Sequence, residues 1–247
     1  MRRDSTGLIL GMLLVVGACG GDATESVLVS AAASLTDAFT EMGNEFESTH
    51  AGIDLVINYG GSSTLREQIL EGAPVDVFAP ANPSNMDDVV EAGLALTDPK
   101  VLARNLLQIA VPLGNPAGVS RLEDLADADL LIGLCAPEVP CGDFARDVLA
   151  NAGVTPMIDT NEPDVRALLT KIEIGELDAG ITYVTDVASA DGTVEGVHIP
   201  EDVNVVAEYP IVVLAGAPNR EGAEAFVEFV LSDRGQEILS QFGFAAP

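Results

Sequence analysis

Apolar positions along the chain follow two periods. Val27 to Ala33 is a nearly unbroken apolar run, the pattern of a strand buried on both faces. Leu35, Ala38, Phe39, Met42 and Phe46 then recur at helical spacing and predict an amphipathic helix. Ile53, Leu55 and Ile57 alternate as a strand, and 65–70 reads as a helix stopped by Gly72-Ala73-Pro74. Further strands are predicted at 75–79, 106–113, 130–134, 179–184 and 205–215, the last broken by Pro210. Further helices are predicted at 144–152, around Val165 to Ile172, and on a tail face made by Ala223, Phe226, Val227, Val230 and Leu231. Strands alternating with helices predict an α/β fold with mostly parallel sheets. No low-complexity linker and no short repeat interrupts the alternation.

The amino terminus departs from this pattern. Arg2 and Arg3 precede an apolar run of 11 residues, Leu8 to Ala18. A bilayer span needs ~20 residues, so the run fits the apolar region of an export signal instead. It ends in Val16-Gly17-Ala18-Cys19, which resembles a bacterial lipobox. Residues 1–18 are therefore expected to be a lipoprotein leader and Cys19 the lipidated residue. Residues 19–26, small and polar, would be the tether. The expected location is the cell envelope, on the outer face of the cytoplasmic membrane or in the periplasm.

Composition narrows the function. The 247 residues carry 11 basic and 39 acidic side chains, a net charge of −28, with 48% hydrophobic residues. That apolar content excludes intrinsic disorder. The charge argues against nucleic acid as a partner and against a basic membrane-binding face. Leader cysteine aside, Cys135 and Cys141 remain, and a close pair outside the cytoplasm reads as a local disulfide. Free thiols, or a redox or nucleophilic pair, are the alternatives, although redox motifs usually have C-x-x-C spacing.

Catalytic and metal signatures are missing from the sequence. His50 and His198 have no nucleophile or base motif beside them. There is no nucleotide-binding glycine loop, no zinc-ligand cluster and no calcium-loop spacing. Neither a cofactor nor a resident metal is expected. Four segments instead place small and hydroxyl residues where a strand passes into a helix. They are Ala31 to Asp37, Tyr59 to Leu65, Val139 to Phe144, and Asn161 to Arg166. Gly60 and Gly61 permit unusual dihedrals and close backbone approach. In open α/β sheets such loops gather at the carboxyl edge, where ligands bind. Helix N-termini there offer free N–H groups and positive potential, enough to hold an anion without Lys or Arg. The plainer alternative is capping: Ser34 with Asp37, and Thr64 with Glu67, have the spacing of capping boxes.

At these residues the chain resembles the molybdate-binding proteins of ABC transporters. Ala31-Ala32-Ala33-Ser34-Leu35-Thr36-Asp37-Ala38 is similar to the family's opening motif. Tyr59-Gly60-Gly61-Ser62-Ser63-Thr64-Leu65 and Gly72 to Phe78 resemble its second motif and the following strand. Pro137 to Gly142, Asp164-Val165-Arg166, Gly180-Ile181-Thr182-Tyr183 and Glu208-Tyr209-Pro210-Ile211 follow in the family's order. The resemblance implies a two-lobed type II periplasmic-binding-protein fold. One lobe would hold 27–106 plus 208–247 and the other 107–207. Hinge strands would cross near Leu107 to Val111 and Tyr209 to Val213. It further implies a monomer that binds molybdate or tungstate and delivers it to a membrane permease.

Carried over residue by residue, the resemblance makes Ser34 and Ser62 hydroxyl ligands. Cys141 and Val165 would be backbone N–H donors, and Tyr183 a phenol ligand. The Cys135/Cys141 loop departs from the family pattern. Such a set suits a tetrahedral dianion that carries no proton near neutral pH, because hydroxyls and N–H groups can all donate. The set has no carboxylate to accept from a protonated phosphate. A binding protein of the same fold for another oxyanion such as sulfate is the main alternative. An exported enzyme using Cys141 is a more distant one.

Overall fold

The protein is described by a computed structural model covering residues 25–247. The predicted leader, Cys19 and tether residues 20–24 lie outside the described residues. Glu25 and Ser26, expected in the tether, belong instead to the first strand. Glu25 pairs with Ile53, and its N–H donates to Gly52 O at 2.8 Å.

The first lobe opens with β1 (Glu25–Ala32), α1 (Thr36–Thr49), β2 (Ile53–Gly60), α2 (Ser62–Leu70), β3 (Val77–Ala79) and α3 (Pro83–Glu91). β1 lies between β2 and β3, and all three are parallel. The predicted helical face of α1 is buried as expected. Phe39 and Phe46 meet Phe226 edge-to-face, with ring centroids 5.8 and 5.4 Å apart. Phe226 belongs to α7 (Arg220–Leu231), which α8 (Asp233–Gln241) follows, so the chain's end returns to the first lobe.

The second lobe is built from β5 (Ile132–Cys135), α4 (Pro140–Asn151), β6 (Ile158–Glu162), α5 (Val165–Glu173), β7 (Ala179–Tyr183), α6 (Val184–Ser189) and β8 (Val194–Val197). β5 pairs in parallel with both β6 and β7. Two long strands join the lobes: β4 (Lys100–Pro112) and β9 (Val206–Val213). They pair antiparallel with each other from Lys100 to Leu106. At Leu107 β4 turns to β7 in the second lobe, while Val212 and Val213 of β9 pair with β3 in the first. The strand order is β2-β1-β3-β9-β4-β7-β5-β6, with β8 on β4. Each lobe is thus a mostly parallel sheet with antiparallel crossing strands, the mixed α/β architecture that the resemblance implies.

The structure corrects the expectation at Pro210. β9 runs through it rather than breaking. A proline lacks the N–H that a ladder needs, so it is tolerated where pairing is irregular. Opposite Pro210 the register of β4 slips between Val101 and Ala103, and pairing resumes beyond. Among the described residues no helix is long and apolar enough to cross a membrane.

Candidate functional site

Five strand-to-helix junctions face the gap between the lobes. The first lobe supplies the turn from β1 into α1 and the turn from β2 into α2. The second lobe supplies the starts of α4, α5 and α6 after β5, β6 and β7. The four segments singled out in the sequence are all of this kind, and Tyr183 adds the fifth. Ser34, Ser62, Cys141, Val165 and Tyr183 line one cavity, together with Ala32, Ala33, Gly60, Gly61 and Ala81. Its volume is only about 10 Å³, far below the ~300–1,000 Å³ of pockets for drug-sized molecules. The space suits an ion of a few atoms.

The lobes are closed on this cavity. A Cβ built on Gly61 would lie 2.5 Å from Pro163 O on the opposite lobe. Gly61 itself has φ −62° and ψ 128°, a conformation open to any residue. Its role is therefore the close approach and not an unusual dihedral, and Gly60, whose added Cβ meets nothing nearer than 3.6 Å, is not required in that way.

Neither expected capping box forms: Ser34 precedes the α1 cap, and Thr64 lies inside α2. α1 is capped at Leu35 and α2 at Gly61, neither with a side-chain hydrogen bond. Ser34 Oγ instead shares a hydrogen bond with Tyr209 Oη at 3.0 Å. Ser62 Oγ accepts from Ala81 N–H at 3.0 Å. A hydroxyl that accepts in this way keeps its own proton to donate elsewhere.

The second lobe contributes two full-length helix starts. Val139 caps α4 without a side-chain bond, and Pro140 opens the helix at a position where no N–H is needed. Cys141 N–H follows, and as a first-turn group it has no intrahelical acceptor. Gly142 N–H is already donated to Val139 O at 2.9 Å. Cys141 is bonded to Cys135, with S–S 2.03 Å and Cα–Cα 5.7 Å. The thiolate that the enzyme alternative needs is therefore not free. The loop folds so tightly that a Cβ on Gly142 would meet Ala136 O at 2.0 Å. Arg146 Nη1 ties down the neighbouring carbonyls, donating to Cys135 O at 3.0 Å and Gly142 O at 2.7 Å.

At α5 the cap is Asp164, the one carboxylate in the lining. Its Oδ1 accepts from Ala167 N–H at 2.9 Å. Val165 opens that helix, its N–H again without an intrahelical acceptor. Tyr183, at the end of β7, is 1% exposed, and its Oη is a buried polar atom without a hydrogen-bond partner. Burial raises the phenol well above its ordinary range, so it stays protonated and can only offer its proton or a lone pair. Its ring meets Tyr209 edge-to-face, centroids 5.9 Å apart.

The sequence reading missed Tyr209 as a site residue. The pattern places it only in a return strand, yet Tyr209 is fully buried on β9 and holds Ser34. No spacing rule links positions 175 residues apart. The contacts of Gly61 with Pro163 and of Arg166 with Asp37 across the lobes leave no local pattern either. Among the described residues, no group of three or more His, Cys, Asp or Glu is placed to hold a metal.

A family model described as bacterial extracellular solute-binding protein matches residues 27–245. The chain belongs to this family. In sequence, this solute-binding protein is similar to the molybdate-binding protein ModA of Mycobacterium tuberculosis, 36% identical over 98% of each chain. In fold it is similar to the periplasmic molybdate-binding protein of Azotobacter vinelandii, with TM-score 0.80 and 20% identity over 90% of this chain and 99% of that one. It is equally similar to the sulfate-binding protein SubI of Mycobacterium tuberculosis, with TM-score 0.82 and 18% identity over 90% of this chain and 87% of that one. At those identities the two structures speak for the fold, and they do not choose between the anions.

Proposed function

We propose that this solute-binding protein captures molybdate or tungstate for an ABC importer, holding the oxyanion between its lobes. The observation that carries the reading is Tyr183 Oη. It is a buried, protonated and unpartnered hydroxyl aimed into a small cavity with two serine hydroxyls and two helix starts. Leaving such a group unpaired costs roughly 1–3 kcal/mol, which an acceptor in the cavity would return. The full-length likeness to a molybdate-binding relative favours molybdate where the fold alone does not.

In this reading Ser34 and Ser62 donate from the first lobe. The N–H groups of Cys141 and Val165 and the phenol of Tyr183 donate from the second. Hydrogen bonds to a charged partner contribute roughly 1.5–3 kcal/mol each, net of the water they replace, so about five supply roughly 8–15 kcal/mol. The macrodipoles of α4 and α5 add positive potential, and exposed acidic side chains more than ~8–10 Å away are screened. Asp164 caps α5 through Oδ1, and the proposed donor set itself includes no carboxylate to accept from a protonated phosphate. The protein performs no chemistry on the ion and needs no cofactor. It acts as an exported monomer, anchored through lipid on Cys19, and hands the ion to a permease.

Isothermal titration of residues 20–247 with molybdate, tungstate, sulfate and phosphate tests this. The expected result is one-to-one binding of the two larger oxyanions, with sulfate at least ~100-fold weaker. Sulfate or phosphate binding as tightly, or a folded protein that binds none of the four, would overturn the choice of ligand.

A further inference from the structure

Arg166 follows Val165 in the first turn of α5, and its guanidinium is divided between the lobes. Nη2 donates to Asp37 Oδ2 in the first turn of α1, across the gap. Nε lies 3.7 Å from Asp186 Oδ1 on its own lobe, close enough to attract but too far for a hydrogen bond. Arg166 Nε and Asp186 Oδ1 are both buried, and both lack a hydrogen-bond partner. Asp186 is fully enclosed and cannot move far, because its Oδ2 accepts from Tyr183 N–H at 3.1 Å. The closed form therefore satisfies the interlobe carboxylate and leaves the enclosed one under-served. That strain exists only while Asp37 is within reach. Once the lobes part, Asp37 leaves with α1 and the guanidinium is free to settle on Asp186.

We propose that Arg166 is the latch of the cleft, exchanging Asp186 in the open form for Asp37 in the closed form, and that this exchange sets how fast the bound oxyanion leaves. The proposal rests on the oxyanion reading above. It makes Arg166 a positioning residue, acting on the ion through the lobes and not by touching it.

The exchange has a pH signature. The charged and titratable groups around Asp186 are Arg166 and Asp164 from α5, Asp37 from α1, Tyr183 from β7 and Tyr209 from β9. Burial raises the Asp186 carboxyl to about 7 in the closed form, against the opposing pull of Arg166. In the open form Arg166 sits fully on Asp186 and holds it lower. The closed form thus binds this proton more tightly, so lowering the pH from 8 to 6 favours closure and slows release.

Release is measurable on the purified protein without a label. The chain has no Trp and three Tyr, and two of these, Tyr183 and Tyr209, are at the cleft. Stopped-flow tyrosine fluorescence, with bound molybdate chased by excess tungstate, reads the rate. Arg166→Gln and Asp37→Ala should each speed release about five-fold, the size expected of a half-exposed ion pair, and the double variant no further. Asp186→Asn should slow release and remove its pH dependence. Unchanged release in Asp37→Ala, additive effects in the double variant, or a pH slope that survives Asp186→Asn would each overturn the latch. Loss of binding in Arg166→Gln with tighter binding in Asp37→Ala would make Arg166 a direct ligand instead, also against the proposal. If the wild-type protein binds no oxyanion, the functional reading falls by itself. The latch is then judged by small-angle scattering, where Asp37→Ala must enlarge the radius of gyration for it to stand.

Discussion

The two walls of the cleft hold their donors in different states of readiness. On the first lobe both serine hydroxyls are already engaged: Ser62 Oγ accepts from Ala81 N–H, and Ser34 Oγ is bonded to Tyr209 Oη. On the second lobe Tyr183 Oη has no partner, and the first-turn N–H groups of Cys141 and Val165 have no intrahelical acceptor. The first wall is oriented by its own protein contacts, whereas the second is incomplete until an acceptor is bound. A wall that is satisfied beforehand contributes to folding stability and binding together. A wall that is left wanting contributes to binding alone.

The largest effect should come from abolishing the contact between the walls. Gly61→Ala places a methyl against Pro163 O without straining the backbone of the separated lobe. Oxyanion affinity should fall at least ~100-fold, roughly 2.7 kcal/mol, with the melting temperature of the ligand-free protein unchanged. Normal titration curves for this variant would mean that the lobes do not close as described.

Next, Ser62→Ala removes a donor and orphans Ala81 N–H. Titration should show a loss of ~10–100-fold, since bonds to charged groups contribute roughly 1.5–3 kcal/mol. Thermal unfolding without ligand should show destabilisation as well. Tyr183→Phe sharpens the contrast. It should cost a similar or somewhat smaller factor in affinity, about ten-fold, while leaving the ligand-free protein as stable or slightly more so, because an orphaned hydroxyl is removed. Equal destabilisation in both variants would erase the distinction between the walls.

The smallest effect on binding is expected at the disulfide. Replacing Cys135 and Cys141 together by Ser leaves the backbone N–H in place, so affinity should drop only a few-fold. The melting temperature should fall, as loop closure over so short a segment stabilises by about 2 kcal/mol. Calorimetry of the variant, or of wild type treated with a thiol reductant, separates the two readouts.

Much of the fold was legible because the strand-to-helix alternation survives in the apolar pattern. The faces of α1 and α5 were read residue by residue, and the residues proposed as ligands fell in loops flagged by Gly and Ser. Several elements escaped, most of them for a physical reason. The first half of β4, Lys100 to Asn105, crosses between lobes as part of a short two-strand bridge and carries charge. β6 and β8 are short, with few apolar residues. α8 is amphipathic but strongly polar, so its three inward residues did not register as a face. α3 did leave a signal that went unused: Asn82 before Pro83 is a helix start, and its side chain accepts from Asn85 N–H at 3.3 Å. The long-range parts of the site, Tyr209 on Ser34 and Arg166 on Asp37, depend on how distant segments meet, which no local pattern encodes.

The crossing strands also impose an order on how the molecule is made. Synthesis delivers β1 to β3 first, yet β9, which pairs with β3, and α7, whose Phe226 meets α1, come after the entire second lobe. The second lobe can assemble from a continuous stretch between β4 and β8, while the first waits for the carboxyl end of the chain. Contacts this far apart in sequence carry a high loop-closure cost and slow folding. The lobe that begins the chain is therefore the last to be finished, and a chain cut short before β9 would have only one of the two jaws complete.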